Sequence, residues 1–167
     1  MKNLHFAAVG MVVAMVLGAC LAQTASQHLL SADELKKSIP TEFFFRGQKA
    51  PTQVRNSGGF QMADGKMTLF SLVDASGYST AVQQKYQGLL ISESKLNIGG
   101  SELAAGQYGF GFTTDKFVVM NVANEDVLSV AFQTDDGLKR PVPLKLVEDG
   151  GAYKLYAGRK WVPVKPE

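Results

Sequence analysis

Cysteine and histidine are nearly absent from this chain of 167 residues, which holds one cysteine, Cys20, and two histidines, His5 and His28. Cys20 and His5 lie in the N-terminal stretch that we expect to be removed or lipidated, which leaves His28 alone. A Ser-His-Asp triad or a Cys-His pair needs a histidine that the fold holds in place, and His28 stands in a lead-in. Zinc sites made of cysteine and histidine, and disulfides, are excluded on the same ground. We therefore predict no catalytic residue, no metal site and no cofactor.

Long apolar runs are also lacking. The only one, residues 6–17, is shorter than the ~20 residues that span a bilayer comfortably. It follows a short positive start and precedes the small residues Gly18 and Ala19, a pattern typical of secretory signal peptides. The sequence predicts a signal peptide over residues 1–22, and hence export to the periplasm or the medium.

Two processing sites compete at the end of this signal peptide. Cleavage after Ala22 places small side chains at Cys20 and Ala22, as signal peptidase requires. The alternative is that residues 17–20, Leu-Gly-Ala-Cys, resemble the lipobox of bacterial lipoproteins, in which a lipid on Cys20 would anchor the protein to a membrane. We favour cleavage after Ala22, because only residues 23–27 would serve as a tether. Any contact with a membrane would be through a lipid on Cys20.

Charge of one sign is not in large excess. The chain has 17 lysines and arginines against 15 aspartates and glutamates, a formal charge of +2. Nucleic-acid binding needs clustered cations, whereas Lys139-Arg140 and Arg159-Lys160 fall in predicted turns. The near balance of charges predicts no nucleic-acid partner.

What the chain does contain is enough apolar sequence for one core. Hydrophobic residues make up 46% of the chain and charged residues 19%. About 145 residues remain after the signal peptide, which suits one domain. We predict a flexible lead-in over residues 23–31 and a single β-rich domain over residues 32–167.

One short helix is signalled near the start of the domain. Ser31 and Glu34 have the spacing of a capping box, and Leu30 and Leu35 can pack as a hydrophobic staple. Pro40 disfavours helix at the residue before it. The sequence predicts a helix over residues 32–38.

Strand patterns fill most of the remaining chain, at close spacing and with turn formers between them. Because few helices separate them, we predict antiparallel pairing in a β-sandwich or barrel of roughly 8–10 short strands. The predicted strands are 41–46, 60–62, 67–73, 89–93, 107–113, 116–122, 127–134, 142–147, 152–156 and 160–164.

Three of the intervening segments carry specific expectations. Residues 48–59 contain Pro51 and two adjacent glycines, which predicts an irregular loop. Asp64-Gly65 predicts a type I′ turn. Residues 78–87 predict a helical turn or loop.

A glycine-rich stretch over residues 99–112 raises the question of phosphate binding. It lacks the Gly-Lys-Ser/Thr ending of a phosphate-binding loop, and its later glycines open a strand, which excludes nucleotide binding. Alternation along this strand places Tyr108, Phe110 and Phe112 on one face, and Gly109 and Gly111 on the other. The bare face admits either close packing of the chain or a ligand.

A polar loop supplies one further candidate ligand residue. Arg55, within residues 55–59, can hold an anionic ligand through its planar guanidinium group, although a solvated arginine is the alternative. The candidate ligand-binding residues are Arg55, Tyr108, Gly109, Phe110, Gly111 and Phe112.

Residues 103–108, Leu-Ala-Ala-Gly-Gln-Tyr, resemble the L-P-A-G-x-Y hairpin signature of small exported bacterial β-sandwich proteins of unknown function. Ala104 replaces the proline of that signature. The resemblance implies a β-sandwich and transfers no catalytic residue.

The functional hypothesis is a non-enzymatic binding or interaction module of the cell envelope, whose partner is an envelope protein or a small apolar ligand. A carboxylate-based hydrolase is one alternative, because acidic pairs stand at 125–126, 135–136 and 148–149. A structural envelope lipoprotein is the other.

Overall fold

Two antiparallel β-sheets face each other in the computed structural model, which describes residues 26–167. The predicted mainly β fold is confirmed as a sandwich, and neither sheet closes into a barrel. The predicted signal peptide and Cys20 lie outside the described residues. In chain order the elements are β1 (His28–Leu29), α1 (Ala32–Ser38), β2 (Glu42–Phe45), β3 (Gln48–Gln61), β4 (Met67–Val73), α2 (Thr80–Gln83), β5 (Gly88–Ser92), β6 (Leu96–Ile98), β7 (Ser101–Leu103), β8 (Gly106–Phe112), β9 (Phe117–Met120), β10 (Asp126–Val130), β11 (Gln133–Thr134), β12 (Val142–Asp149), β13 (Ala152–Gly158) and β14 (Lys160–Pro166).

The first sheet has the strand order β1-β3-β4-β5-β8-β9-β10, and β2 pairs with the beginning of β3. The second sheet has the order β12-β13-β14-β6-β7, and β11 pairs with β14. Residues 26–167 form more strands than the 8–10 predicted, because β3 replaces a predicted loop and several added strands have only two or three residues. Within these residues no helix combines the length and the apolarity needed to cross a membrane.

The main core lies between the two sheets, where alternate side chains of each strand meet. Phe60 of the first sheet stacks on Tyr153 of the second, with ring centroids 4.0 Å apart. Burial of such rings and of aliphatic side chains is the chief stabilising term for a fold without disulfides. Other members of this core are Phe70, Leu90, Phe110 and Phe117 from the first sheet, and Leu96, Ile98, Leu144, Leu146, Leu155, Val162 and Val164 from the second.

The outer face of the first sheet is covered by the chain itself. Helix α1 packs Leu35 and Ile39 against Leu69 of β4. The β2–β3 hairpin and the α2 segment cover the rest, with Phe45 and Tyr86 at the centre of a second cluster. Neither cluster includes a residue of the second sheet, so the two sheets differ in what lies over their outer faces.

Helix α1 has the predicted bounds, and its predicted capping box is present. The Ser31 hydroxyl accepts from the Glu34 backbone N–H at 3.4 Å, and the Ser31 backbone N–H donates to the Glu34 carboxylate at 2.8 Å. Part of the segment that we expected to be a flexible lead-in packs on the domain. His28 and Leu29 pair with the end of β3, and Leu30 is buried.

The loop prediction for residues 48–59 is wrong, because this segment is most of strand β3. Its turn-forming composition reflects a bulge. Gln53 pairs with Leu72 and Ser57 with Ser71, so residues 54–56 of β3 have no partner in β4. Within the bulge the Ser57 hydroxyl donates to the Val54 carbonyl at 2.5 Å. Pro51 lies where β3 changes partner from β2 to β4, at a break in the ladder that tolerates proline.

The type I′ prediction at Asp64-Gly65 is wrong as well. Only Gly65 has a positive φ, of 88°, and its N–H donates to the Met62 carbonyl at 2.9 Å. The Met62 N–H donates in turn to the Lys66 carbonyl, which makes a type I turn followed by a glycine bulge. Two-residue turns with positive φ at both positions occur instead at Gly99-Gly100 and Gly150-Gly151.

Candidate functional site

The bare face of β8 is occupied by the chain itself. A Cβ added at Gly109 would lie 2.7 Å from the Phe45 ring and 2.9 Å from the Tyr86 ring. At Gly111 an added Cβ would lie 2.0 Å from the Lys85 carbonyl oxygen. The two glycines therefore make room for the α2 segment and the β2–β3 hairpin, and the space beside them holds no ligand seat.

The aromatic residues of β8 differ in their surroundings. Phe110 is fully buried between the sheets, where it contacts Phe70 edge-on at 6.0 Å between ring centroids. The Tyr108 hydroxyl donates to the Ala104 carbonyl at 3.1 Å. Phe112 is nearly buried and borders an open groove. The structure thus leaves Phe112 as the one β8 ring beside a cavity.

The groove beside Phe112 has a volume of about 490 Å³ and lies between the α2 segment and the start of β14. Its two cations already have partners. Lys85 forms an ion pair with Asp126 at 2.5 Å, and Lys160 donates to the Thr113 carbonyl at 2.7 Å. Lys160 also lies 4.4 Å from the centre of the Phe132 ring. This groove has polar walls but no unengaged charged group to attract an ion.

Tyr86 is an unusual residue of the second cluster. Its ring stacks on Phe45 at 3.9 Å between centroids, but its buried hydroxyl has no hydrogen-bond partner among the described residues. Burial, reinforced by the nearby Tyr78, raises its pKa well above the ordinary tyrosine value. The residue borders a second groove of about 470 Å³ at the end of β4. An unpaired buried hydroxyl lowers stability, and no prediction from sequence indicated it.

Arg55 lies in the bulge of β3, apart from the β8 residues. With Lys36 and Val54 it lines a groove of about 350 Å³ between β3 and helix α1. No ion-pair partner of Arg55 occurs within residues 26–167. The structure does not bring Arg55 together with the other candidate ligand residues, so they do not form one site.

The acidic pairs stand in exposed turns or at strand ends. Glu125 accepts from the Asn121 amide at 2.7 Å, Asp126 pairs with Lys85, and Asp149 pairs with Lys154 at 2.8 Å. In the part of the chain that the structure describes, no three acidic, histidine or cysteine side chains cluster as metal ligands. Asp135 accepts from the Tyr156 hydroxyl at 3.3 Å, so four of these six carboxylates bind neighbouring surface groups.

The outer face of the second sheet presents a different set of residues. Tyr153 and Leu155 of β13 point into the core, so alternation turns Lys154 and Tyr156 outward. The same alternation turns Trp161 of β14 outward. We name this surface the outer face and define it by Lys145, Val147, Lys154, Tyr156, Trp161 and Pro163, all of which are partly or fully exposed.

Two aromatic rings lie side by side on the outer face. Tyr156 and Trp161 are partners in the β13–β14 register, with ring centroids 6.0 Å apart and planes inclined by 30°. Lys154 lies 4.8 Å from the centre of the Trp161 ring and pairs with Asp149. The hydrogen bond to Asp149 raises the pKa of Lys154. Burial, and after it the carboxylate of Asp135, raises the pKa of Tyr156.

A hollow of about 210 Å³ adjoins Tyr156 on this face. Arg140 and Lys145 stand at the hollow, and neither has an ion-pair partner within residues 26–167. Val142 and Val147 supply apolar walls. The outer face therefore combines aromatic rings, an apolar hollow and two unengaged cations.

The distribution of charge along the chain supports this description. Residues 139–167 contain seven lysines and arginines against three acids, whereas residues 26–138 contain nine against twelve. The near balance of charge over the whole chain therefore conceals a basic C-terminal part. A count by region would have revealed the basic C-terminal part, while the pairing of Tyr156 with Trp161 needed the strand register.

Comparisons of the chain with protein-family models, curated proteins and solved structures find no match. The resemblance of residues 103–108 to exported β-sandwich proteins therefore stays a prediction. In the structure this stretch carries the chain from β7 of the second sheet into β8 of the first. It crosses between the sheets and forms no part of the outer face.

Proposed function

We propose that the chain is an exported, non-enzymatic binding module of the cell envelope that holds its partner against the outer face. The signal-peptide pattern of residues 1–22 supports export. The arrangement of the two sheets supports the choice of face, because helix α1, α2 and the β2–β3 hairpin cover the first sheet and leave the second as the open one.

The observation that carries this proposal is the partial exposure of Trp161, the only tryptophan of the chain, beside Tyr156. A solvated sheet face ordinarily carries polar side chains, whereas buried aromatic rings supply much of the binding energy at interfaces. Arginine is likewise enriched at such sites, and Arg140 stands at the adjoining hollow. An aromatic and cationic sheet face is therefore suited to recognition.

The protonation of this face supports binding over catalysis. A general base or a nucleophile must lose its proton near the working pH. The raised pKa values of Tyr156 and Lys154 keep both side chains protonated at neutral pH. The Lys154 ammonium and the Tyr156 hydroxyl already donate to Asp149 and Asp135, so the aromatic rings and the cations at the hollow remain for a partner.

The test is retention of the purified protein on washed, insoluble envelope material from the producing cell. We expect Trp161→Ala to reduce retention about tenfold, because it removes a central ring. The matched control is Phe44→Ala, which removes the most exposed ring of the β2–β3 hairpin, 59% exposed, on the opposite sheet. Lys145→Glu changes an exposed residue of the outer face without disturbing the core, and retention should fall for this variant too. Equal retention of all variants would overturn the proposal.

A further inference from the structure

We infer that the ligand of the outer face is an acidic polysaccharide, whose carboxylates bind Arg140 and Lys145 while its sugar rings pack on Tyr156 and Trp161. This inference rests on the proposed function and names the class of ligand for the same face. It is carried by three observations: unengaged cations, a hollow of limited size, and a row of side chains that runs across three strands.

The cations point to an anionic ligand. Arg140 and Lys145 flank the hollow without ion-pair partners in residues 26–167. Lys154, in contrast, forms an ion pair with Asp149. A guanidinium group binds a carboxylate through two parallel hydrogen bonds, and this geometry favours carboxylate over a diffuse charge. The Tyr156 hydroxyl donates to the Asp135 carboxylate at 3.3 Å, so the carboxylates of the ligand bind at Arg140 and Lys145 and not at this hydroxyl.

The size of the hollow suits one sugar ring of the polymer. Its volume of about 210 Å³ lies below the ~300–1,000 Å³ of sites that enclose drug-sized ligands. Val142, Val147 and the Tyr156 ring give it apolar walls that suit the C–H face of a sugar, and the two cations suit a carboxylate on the same unit.

The strand register extends this contact into a path for a chain of such units. Lys145 of β12 is paired with Tyr156 of β13, and Tyr156 with Trp161 of β14. A linear polymer that crosses the three strands meets a cation, a phenol and an indole in turn, about 5 Å apart. A polymer gains from every contact along this row, whereas a single small anion would use the hollow alone.

The aromatic rings favour a polysaccharide over a lipid surface. Rings that enter a bilayer interface project from the protein, but Tyr156 and Trp161 lie beside each other and are only partly exposed. Lys154 lies over the indole and holds a charge where an inserting ring would need an apolar surrounding. The face is therefore shaped for a ligand that lies along it.

The test is titration of the purified exported protein with polygalacturonate, a carboxylated sugar polymer, followed by Trp161 fluorescence. Neutral dextran is the matched polymer, and phosphatidylglycerol vesicles represent an anionic membrane. We expect polygalacturonate to bind, dextran not to bind, and affinity to fall as salt rises. The double variant Arg140→Gln/Lys145→Gln should bind about tenfold more weakly. Lys37→Gln/Lys116→Gln, which removes two exposed charges elsewhere, should bind like the original chain.

The outcomes separate this inference from the proposed function. Equal binding of dextran, or full affinity of Arg140→Gln/Lys145→Gln, would overturn the acidic ligand and leave the outer face as the binding face. Binding to the vesicles without binding to polygalacturonate would also overturn it, in favour of a membrane surface. Failure of polygalacturonate to bind, in a protein whose envelope retention still depends on Trp161, would overturn the inference alone.

Discussion

The carbonyl oxygen of Lys85 packs against Gly111 so closely that a Cβ added at Gly111 would lie only 2.0 Å from it. Lys85 follows helix α2 and Gly111 lies near the end of β8, so this contact seats the α2 segment on the first sheet. Backbone atoms cannot swing aside as the end of a flexible side chain can. Glycine is therefore required at position 111 for packing. Gly109, two residues earlier, makes room for the Phe45 and Tyr86 rings.

Replacing Gly111 with alanine should destabilise the fold by about 3 kcal/mol, because the α2 segment must move away from β8. Urea unfolding measures the change. Gly77→Ala is the matched control, since the nearest atom to its added Cβ is the Gln48 side-chain oxygen at 3.8 Å. A loss for Gly111→Ala no greater than that for Gly77→Ala would contradict the packing of Lys85 on β8.

Removal of the Tyr86 hydroxyl should stabilise the protein. Tyr86→Phe keeps the stack on Phe45 and deletes a buried group that has no partner among residues 26–167. We expect the free energy of unfolding to rise by about 1 kcal/mol. Tyr78→Phe is the control with the opposite sign, because the Tyr78 hydroxyl lies 2.9 Å from both the Phe45 and the Gln48 carbonyl oxygens, which share its one proton. If Tyr86→Phe lowered stability, a partner for this hydroxyl would have to exist.

The imidazole of His28 should make the stability of β1 depend on pH near neutrality. A hydrogen bond to the Ser26 carbonyl, and after it the contact with Glu34, raises the pKa of His28. A raised pKa in the folded state means that protonation stabilises the fold. This contribution is complete below the ordinary histidine pKa and is lost as pH rises through the raised value. Thermal unfolding of the protein across that window should show the loss, and His28→Gln should lack it.

A direct titration of His28 by NMR checks the same point, because it is the only histidine beyond residue 25. Its pKa should lie above the ordinary value and should move back toward that value in Glu34→Gln. A pKa at or below the ordinary value in the unsubstituted protein would show that the Ser26 and Glu34 contacts do not form in solution.

Local signals in the sequence were enough to predict helix α1 and the class of fold. The capping box of Ser31 and Glu34 acts within one turn, and the alternation of strands such as β8 is visible without a partner. Strand β3 was missed because its proline and glycines belong to a bulge and to a change of partner, and both depend on β4. Local composition cannot distinguish such a bulged strand from a loop.

The candidate site was harder to predict for the same reason. The alternation correctly separated Tyr108, Phe110 and Phe112 from the glycines of β8, but it could not show that Phe45, Tyr86 and Lys85 fill the bare side. The outer face depends on which strands are neighbours and on which sheet is left uncovered. Those are properties of the assembled sandwich.

The charge around Trp161 can be measured in the free protein. Iodide and caesium both quench indole fluorescence on contact, and a cationic surrounding attracts the anion and repels the cation. We expect iodide to quench Trp161 more strongly than caesium, with the difference reduced at high salt and in Lys145→Gln. Equal quenching by the two ions at low salt would contradict the cationic character of the outer face.

The measurement that tests the central claim most directly is iodide quenching of Trp161 before and after soluble fragments of the producing cell's envelope bind the protein. Trp161 is the only tryptophan, so the signal comes from the outer face alone. If the outer face holds the partner, bound protein should lose most of its quenching. Bound protein whose Trp161 stays as accessible as in the free protein would contradict the claim and place the binding surface elsewhere.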